Sequence, residues 1–78
     1  MRKSAHSAKY KKLIAALREM RQSKGITQTE LAKRLRRPQS FVAKYEQGER
    51  RLDVIEFVTI AEMIGVDPIA LIRSALDT

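Results

Sequence analysis

The 78-residue chain has no cysteine and no tryptophan, and only two tyrosines, two phenylalanines, two prolines and three glycines. Without thiols it can build neither a disulfide framework nor a thiolate metal site, so its stability must come from packed helices, completed if needed by a second copy of the chain. Such a composition suits a reducing cytoplasm. No apolar run approaches the roughly 18 to 20 residues that span a bilayer. The N-terminal MRKSAHSAKYKKLIAAL also lacks the long apolar region of a secretory signal. A soluble, intracellular protein without membrane association is expected. The single histidine, His6, lies in a segment with no apolar period, and the acids are scattered along the chain. Acid–base catalysis needs titratable groups that converge in a pocket, so neither enzyme activity nor a metal or cofactor is expected.

What the chain has in excess is positive charge, a formal net of +7. It is unevenly placed: residues 1–51 hold 15 Lys or Arg against 4 Asp or Glu, and residues 52–78 hold 1 against 5. This polarisation points to a basic face for a polyanion and an acidic remainder kept away from it. Single-stranded RNA is poorly served, because Tyr10, Phe41, Tyr45 and Phe57 fall mostly at core positions and leave no stacking platform. A chain of this length forms one small domain that buries only about 60 % of the surface its unfolded form exposes.

Periodicity and punctuation divide the sequence into a disordered basic tail, residues 1–6, and a single all-α domain, residues 7–78, of five short helices. The first predicted helix runs from about Ser7 to Lys24, with Tyr10, Leu13, Ile14 and Leu17 on one face, and Gly25 ends it. The second starts at Thr27, where Thr27 and Glu30 form a capping box, and buries Leu31, Ala32 and Leu35. The third follows Arg36-Arg37, has Pro38 near its start, turns Val42 and Tyr45 inward, and ends at Gly48. The fourth is capped by Asp53, buries Val54, Phe57, Val58, Ile60, Ala61 and Ile64, and stops at Gly65. The fifth is capped by Asp67 and carries Ile69, Ile72, Ala75 and Leu76 as its apolar positions. There is no internal repeat and no plausible strand.

The second and third helices are short, joined by a turn of a few residues, and the third is bracketed by arginines in RRPQSFVAKYEQGERR, residues 36–51. That is a helix-turn-helix at residues 27–48, in which the first helix crosses the DNA backbone and the second enters the major groove. Ala32 is small enough to let the recognition helix, residues 39–47, cross closely, with Val42 meeting it. The side-chain chemistry suits base reading: a glutamine pairs bidentately with adenine, a lysine donates to guanine, a serine does either, and Ala43 can lie on a thymine methyl. Arg37, Gln47, Arg50 and Arg51 are better placed for phosphates, which set register without reading sequence.

The pieces MRQSKGITQTELAKRL, PQSFVAKYEQGERRLDVIEF and IAEMIGV, in that order, resemble the Cro and phage-repressor type of helix-turn-helix domain, the XRE family, over residues 10–74. The resemblance implies a compact five-helix, lambda-repressor-like bundle. It implies base contacts from Gln39, Ser40 and Lys44, a phosphate contact from Gln28, and an ion pair between Arg21 and Glu46 that orients the recognition helix. Two positions depart from the family pattern. Arg36 replaces the usual turn glycine, so a left-handed conformation there would cost roughly 1 to 2 kcal/mol, and either the turn is reshaped or that cost is accepted. Pro38 stands where the family often has a Ser or Thr cap. Phe41 is open between packing with Tyr45 and meeting a thymine methyl.

The function implied is a sequence-specific transcriptional regulator of bacterial or phage origin, most often a repressor in this family, binding double-stranded DNA as a homodimer. Val66, Ile69, Leu71, Ile72 and Leu76 are more apolar than a small monomer needs and form the candidate dimer surface. The alternative is the antitoxin of a toxin-antitoxin pair, with a toxin as protein partner, or the controller protein of a restriction-modification system, using the same domain.

Overall fold

Helix starts in this chain are set by short polar side chains that satisfy otherwise free N–H groups. The computed structural model describes residues 7–77, and the expected basic tail, residues 1–6, lies outside them. Within that span the element order is α1 (Ala8–Ser23), α2 (Gln28–Leu35), α3 (Gln39–Gln47), α4 (Val54–Ile64) and α5 (Pro68–Leu76), with no strand among the described residues. Ser7 Oγ accepts from the Tyr10 N–H at 3.1 Å to open α1. Thr27 and Glu30 exchange two hydrogen bonds at α2, and Asp53 and Glu56 do the same at α4. Asp67 Oδ1 accepts from Ile69 N–H at 2.9 Å at the head of α5. Caps of this kind each contribute about 1 kcal/mol.

α3 is the exception. Pro38 does not enter its first turn but sits one residue earlier as the N-cap, extended at φ −60° and ψ 151°, with no side-chain cap hydrogen bond. No side chain caps the first N–H groups of α3, and Phe41 N–H donates instead to Pro38 O at 2.9 Å.

The core lies among α1 to α4, with α5 against its edge. Ile14 and Leu17 of α1, Leu31 and Ala32 of α2, Phe41, Val42 and Tyr45 of α3, and Phe57, Ile60, Ala61 and Ile64 of α4 form one buried cluster. α2 packs on α3 and α4, while α5 lies against α1 and α4. Leu71 and Ile72 of α5, with Val66 before it, are only partly buried against that cluster.

Two core residues were not anticipated, Ile26 and Leu52, both buried in loops. Each stands immediately before an N-cap, and the residue four places inside the helix, Leu31 or Phe57, belongs to the same cluster. These are hydrophobic staples. Conversely, the expected burial of Val54 is not found: it is 74 % exposed. Val54 is the first residue of α4 and lies one turn before Phe57, the first residue of that helix to be buried. Val58 is half-buried. Of the apolar positions expected on α5, Ile69 is 61 % exposed and Leu76 is also exposed, because only one side of this short helix has a neighbour.

Candidate nucleic-acid interface

The turn between α2 and α3 answers the question raised by Arg36. The residue is left-handed, φ 58° and ψ 43°, so the strain is accepted and the turn keeps its shape. Arg36 N–H donates to Lys33 O at 3.1 Å and Arg37 N–H donates to Ala32 O at 2.9 Å. These two bonds are a Schellman motif, which satisfies the last carbonyls of α2 and reverses the chain. Ala32, almost wholly buried, and Val42, wholly buried, lie at the junction of the two helices.

α3 divides cleanly into two faces. Phe41, Val42 and Tyr45 point into the core, while Gln39, Ser40, Lys44 and Gln47 are exposed and Ala43 is half-buried. Ser40, Lys44 and Gln47 follow the three-and-four spacing of a helix stripe, with Gln39 beside them. Phe41 resolves toward the core, with its ring edge-on to Tyr45 at 5.6 Å between centroids. Tyr45 is enclosed, and burial pushes its phenol well above the ordinary value.

A polar network joins α3 to α1 and α2. Arg21 of α1, 7 % exposed, donates through Nε to Glu46 Oε2 at 2.7 Å and through Nη2 to Glu46 Oε1 at 3.0 Å. Its Nη1 donates to Ile26 O at 2.8 Å. Such a fork against a carboxylate fixes geometry as well as charge. Gln28 Nε2 donates to the same Glu46 Oε1 at 2.9 Å, and Gln28 Oε1 accepts from Gln39 Nε2 at 2.8 Å. A continuous chain thus runs from the buried Arg21 to the exposed Gln39 and joins α1, α2 and α3. The sequence pairs Arg21 with Glu46 and leaves Gln28 and Gln39 separate. Their linkage comes from the tertiary fold, although glutamines opening two adjacent helices were a visible sign.

Three arginines that follow or precede α3 lie against aromatic rings. Arg37 and Arg50 lie over the ring of Phe41, at 4.3 Å and 4.9 Å from its centroid. Arg51 lies 4.8 Å from the ring centroid of Tyr10, whose hydroxyl accepts from Leu52 N–H at 2.9 Å. Both Arg37 and Arg50 also reach Glu56, at 3.4 Å and 2.8 Å. Arg50 is the first cause of a Glu56 carboxyl held below the ordinary glutamate value. Glu56 also closes the capping box of α4, so one carboxylate serves the helix start and both arginines. The residues expected at a dimer surface are divided: Val66, Leu71 and Ile72 pack on the chain's own core, and Ile69 and Leu76 remain exposed.

Among the described residues no group of three or more His, Cys, Asp or Glu is placed to hold a metal ion. No described helix is long and apolar enough to cross a membrane.

Comparison with known proteins agrees with this geometry. The family described as Helix-turn-helix matches residues 17–71. Among solved structures, the chain is similar to an XRE-family like protein from Pseudomonas syringae pv. tomato str. DC3000, at 56 % identity and a TM-score of 0.86, over 90 % of this chain and 85 % of that one. No curated protein matches. A left-handed turn between two short helices, an outward stripe on the second of them and these two matches lead to one conclusion: the chain belongs to the XRE family of helix-turn-helix DNA-binding regulators.

Proposed function

We propose that the protein reads a specific two-fold operator as a homodimer and represses transcription there, in the cytoplasm of a bacterium or a phage-infected cell. The observation that carries this reading is the exposed stripe of α3, anchored from behind by the Arg21–Glu46–Gln28–Gln39 chain. Gln39, Ser40 and Lys44 read base edges, and Ala43 meets a thymine methyl. Gln28, Arg37, Gln47, Arg50 and Arg51 contact phosphates. In this scheme Gln28 is shared between a phosphate and Gln39, which ties backbone register to base reading.

One recognition helix of this size covers too few base pairs for useful specificity, so two copies on half-sites about 34 Å apart supply it. Exposed Ile69 and Leu76 on α5 offer the apolar surface for that pairing. Sequencing of duplexes selected from a randomised library at near-physiological salt tests the whole reading. The expected result is a two-fold symmetric motif, with Gln39→Ala relaxing the preference at one position in each half-site. Salt-sensitive binding with no enriched motif would reject sequence-specific regulation and leave only a charged surface.

A further inference from the structure

Glu56 stands where three elements meet. It is the third residue of α4, and its Oε1 accepts from the Asp53 N–H at 3.0 Å and from Arg50 Nη1 at 3.0 Å. Its Oε2 accepts from Arg50 Nη2 at 2.8 Å and from Arg37 Nη2 at 3.4 Å. Arg37 belongs to the turn before the recognition helix and Arg50 to the loop after it. Both guanidiniums also lie against the ring of Phe41. One carboxylate and one aromatic ring therefore gather two cations that flank α3 from opposite ends, while both arginine side chains stay about two-fifths exposed.

An unrestrained surface arginine loses rotamer freedom when it meets a phosphate, which subtracts from the contact it makes. In this chain that freedom is already restricted before DNA arrives. We propose that Glu56 is a positioning residue for duplex binding, which together with Phe41 holds Arg37 and Arg50 as a preformed clamp for backbone phosphates. This rests on the DNA-binding reading above. The acidic side chain is not simply a charge of the wrong sign. A carboxylate that only competed with phosphate, or only lowered the local potential, would have the opposite effect when neutralised.

The sign of that effect is the test. Glu56→Gln keeps a side-chain carbonyl for the Asp53 N–H and raises the net charge by one, so simple electrostatics calls for tighter binding. Positioning calls for the reverse. Titrating the full chain with a mixed-sequence duplex between about 50 and 200 mM KCl should show E56Q binding roughly three- to tenfold more weakly, with a salt slope shallower by about one. Equal or tighter binding by folded E56Q would overturn the proposal. Phe41→Leu, which keeps an apolar side chain but removes the ring beneath both guanidiniums, should give a similar loss. It is the deciding variant if circular dichroism shows E56Q unfolded, and undiminished duplex binding by F41L would then overturn the clamp. Failure of the wild-type chain to bind any duplex is a separate outcome, which would remove the DNA-binding reading on which the clamp depends.

Discussion

Tyr45 is wholly buried, yet its phenolic oxygen has no hydrogen-bond partner among the described residues. A buried hydroxyl in that position has lost its hydration without replacement, so removing it should cost nothing. Tyr45→Phe is expected to leave stability unchanged or raise it by up to about 1 kcal/mol in urea unfolding. A clear loss would reveal a bonded hydroxyl. Arg36 is the complementary case, a side chain on a backbone that favours glycine. Arg36→Gly should raise stability by about 1 kcal/mol by relieving the left-handed strain, seen as a higher melting temperature. If the melting temperature falls instead, the arginine side chain is contributing more than its backbone costs.

Helices in this domain begin and end by the same few devices. α1, α2, α3 and α4 all stop with paired backbone bonds of the Schellman type, closed by Gly25, Arg36, Gly48 and Gly65 respectively. α4 has no basic residue in its own last turn. Lys24 Nζ donates to Gly65 O at 3.0 Å and Arg34 Nη1 donates to Met63 O at 2.9 Å, so cations from two other elements meet the negative end of its dipole. Part of the basic excess is therefore structural. At the other end of α4, Glu56 provides a pH-dependent element. Its folded carboxyl is held below the ordinary value of 4.5, chiefly by Arg50. The stability it contributes is fully present above that ordinary value and is lost as pH falls through the depressed one. Melting curves from pH 6 down to pH 3 should show wild type losing stability faster than Glu56→Gln below about pH 4.5. Parallel acid limbs would mean that the Arg50–Glu56 pair contributes nothing to folding.

The molecule extends 34 × 24 × 19 Å, and the proposed homodimer would set two such copies on half-sites about 34 Å apart. Pairing needs an apolar face away from the basic one. Exposed Ile69 and Leu76 on α5 are the face proposed for it, whereas Val66, Leu71 and Ile72 are partly engaged in the chain's own core. Ile69→Lys is expected to shift the protein toward monomer in sedimentation and to weaken operator binding at least tenfold, while leaving the fold intact. Exposed Val54 and Ile55 form a second apolar pair, 74 % and 72 % exposed, at the start of α4. Dimerisation that survives Ile69→Lys but is lost in Ile55→Lys would move the partner from α5 to that face.

How much was legible in the residues follows from how locally each feature is decided. Helix starts and stops, the five-helix architecture and the outward stripe of Gln39, Ser40 and Lys44 were readable, because caps, turns and the helical period act within about four residues. Ile26 and Leu52 were also within reach, since an apolar residue just before a capping box is itself a local signal. The exposure of Val54, the division of the α5 apolar residues, the linkage of Gln28 to Glu46 and the gathering of Arg37 and Arg50 around Phe41 and Glu56 were not. Each depends on which surface another element covers or which distant charge comes within hydrogen-bond reach. The sequence by itself determined the helices, their order and the chemistry offered to DNA. Only the tertiary structure decided which apolar residues find a core and which cations are held by the protein's own carboxylates and carbonyls, because burial and ion pairing are set by packing between elements rather than within them.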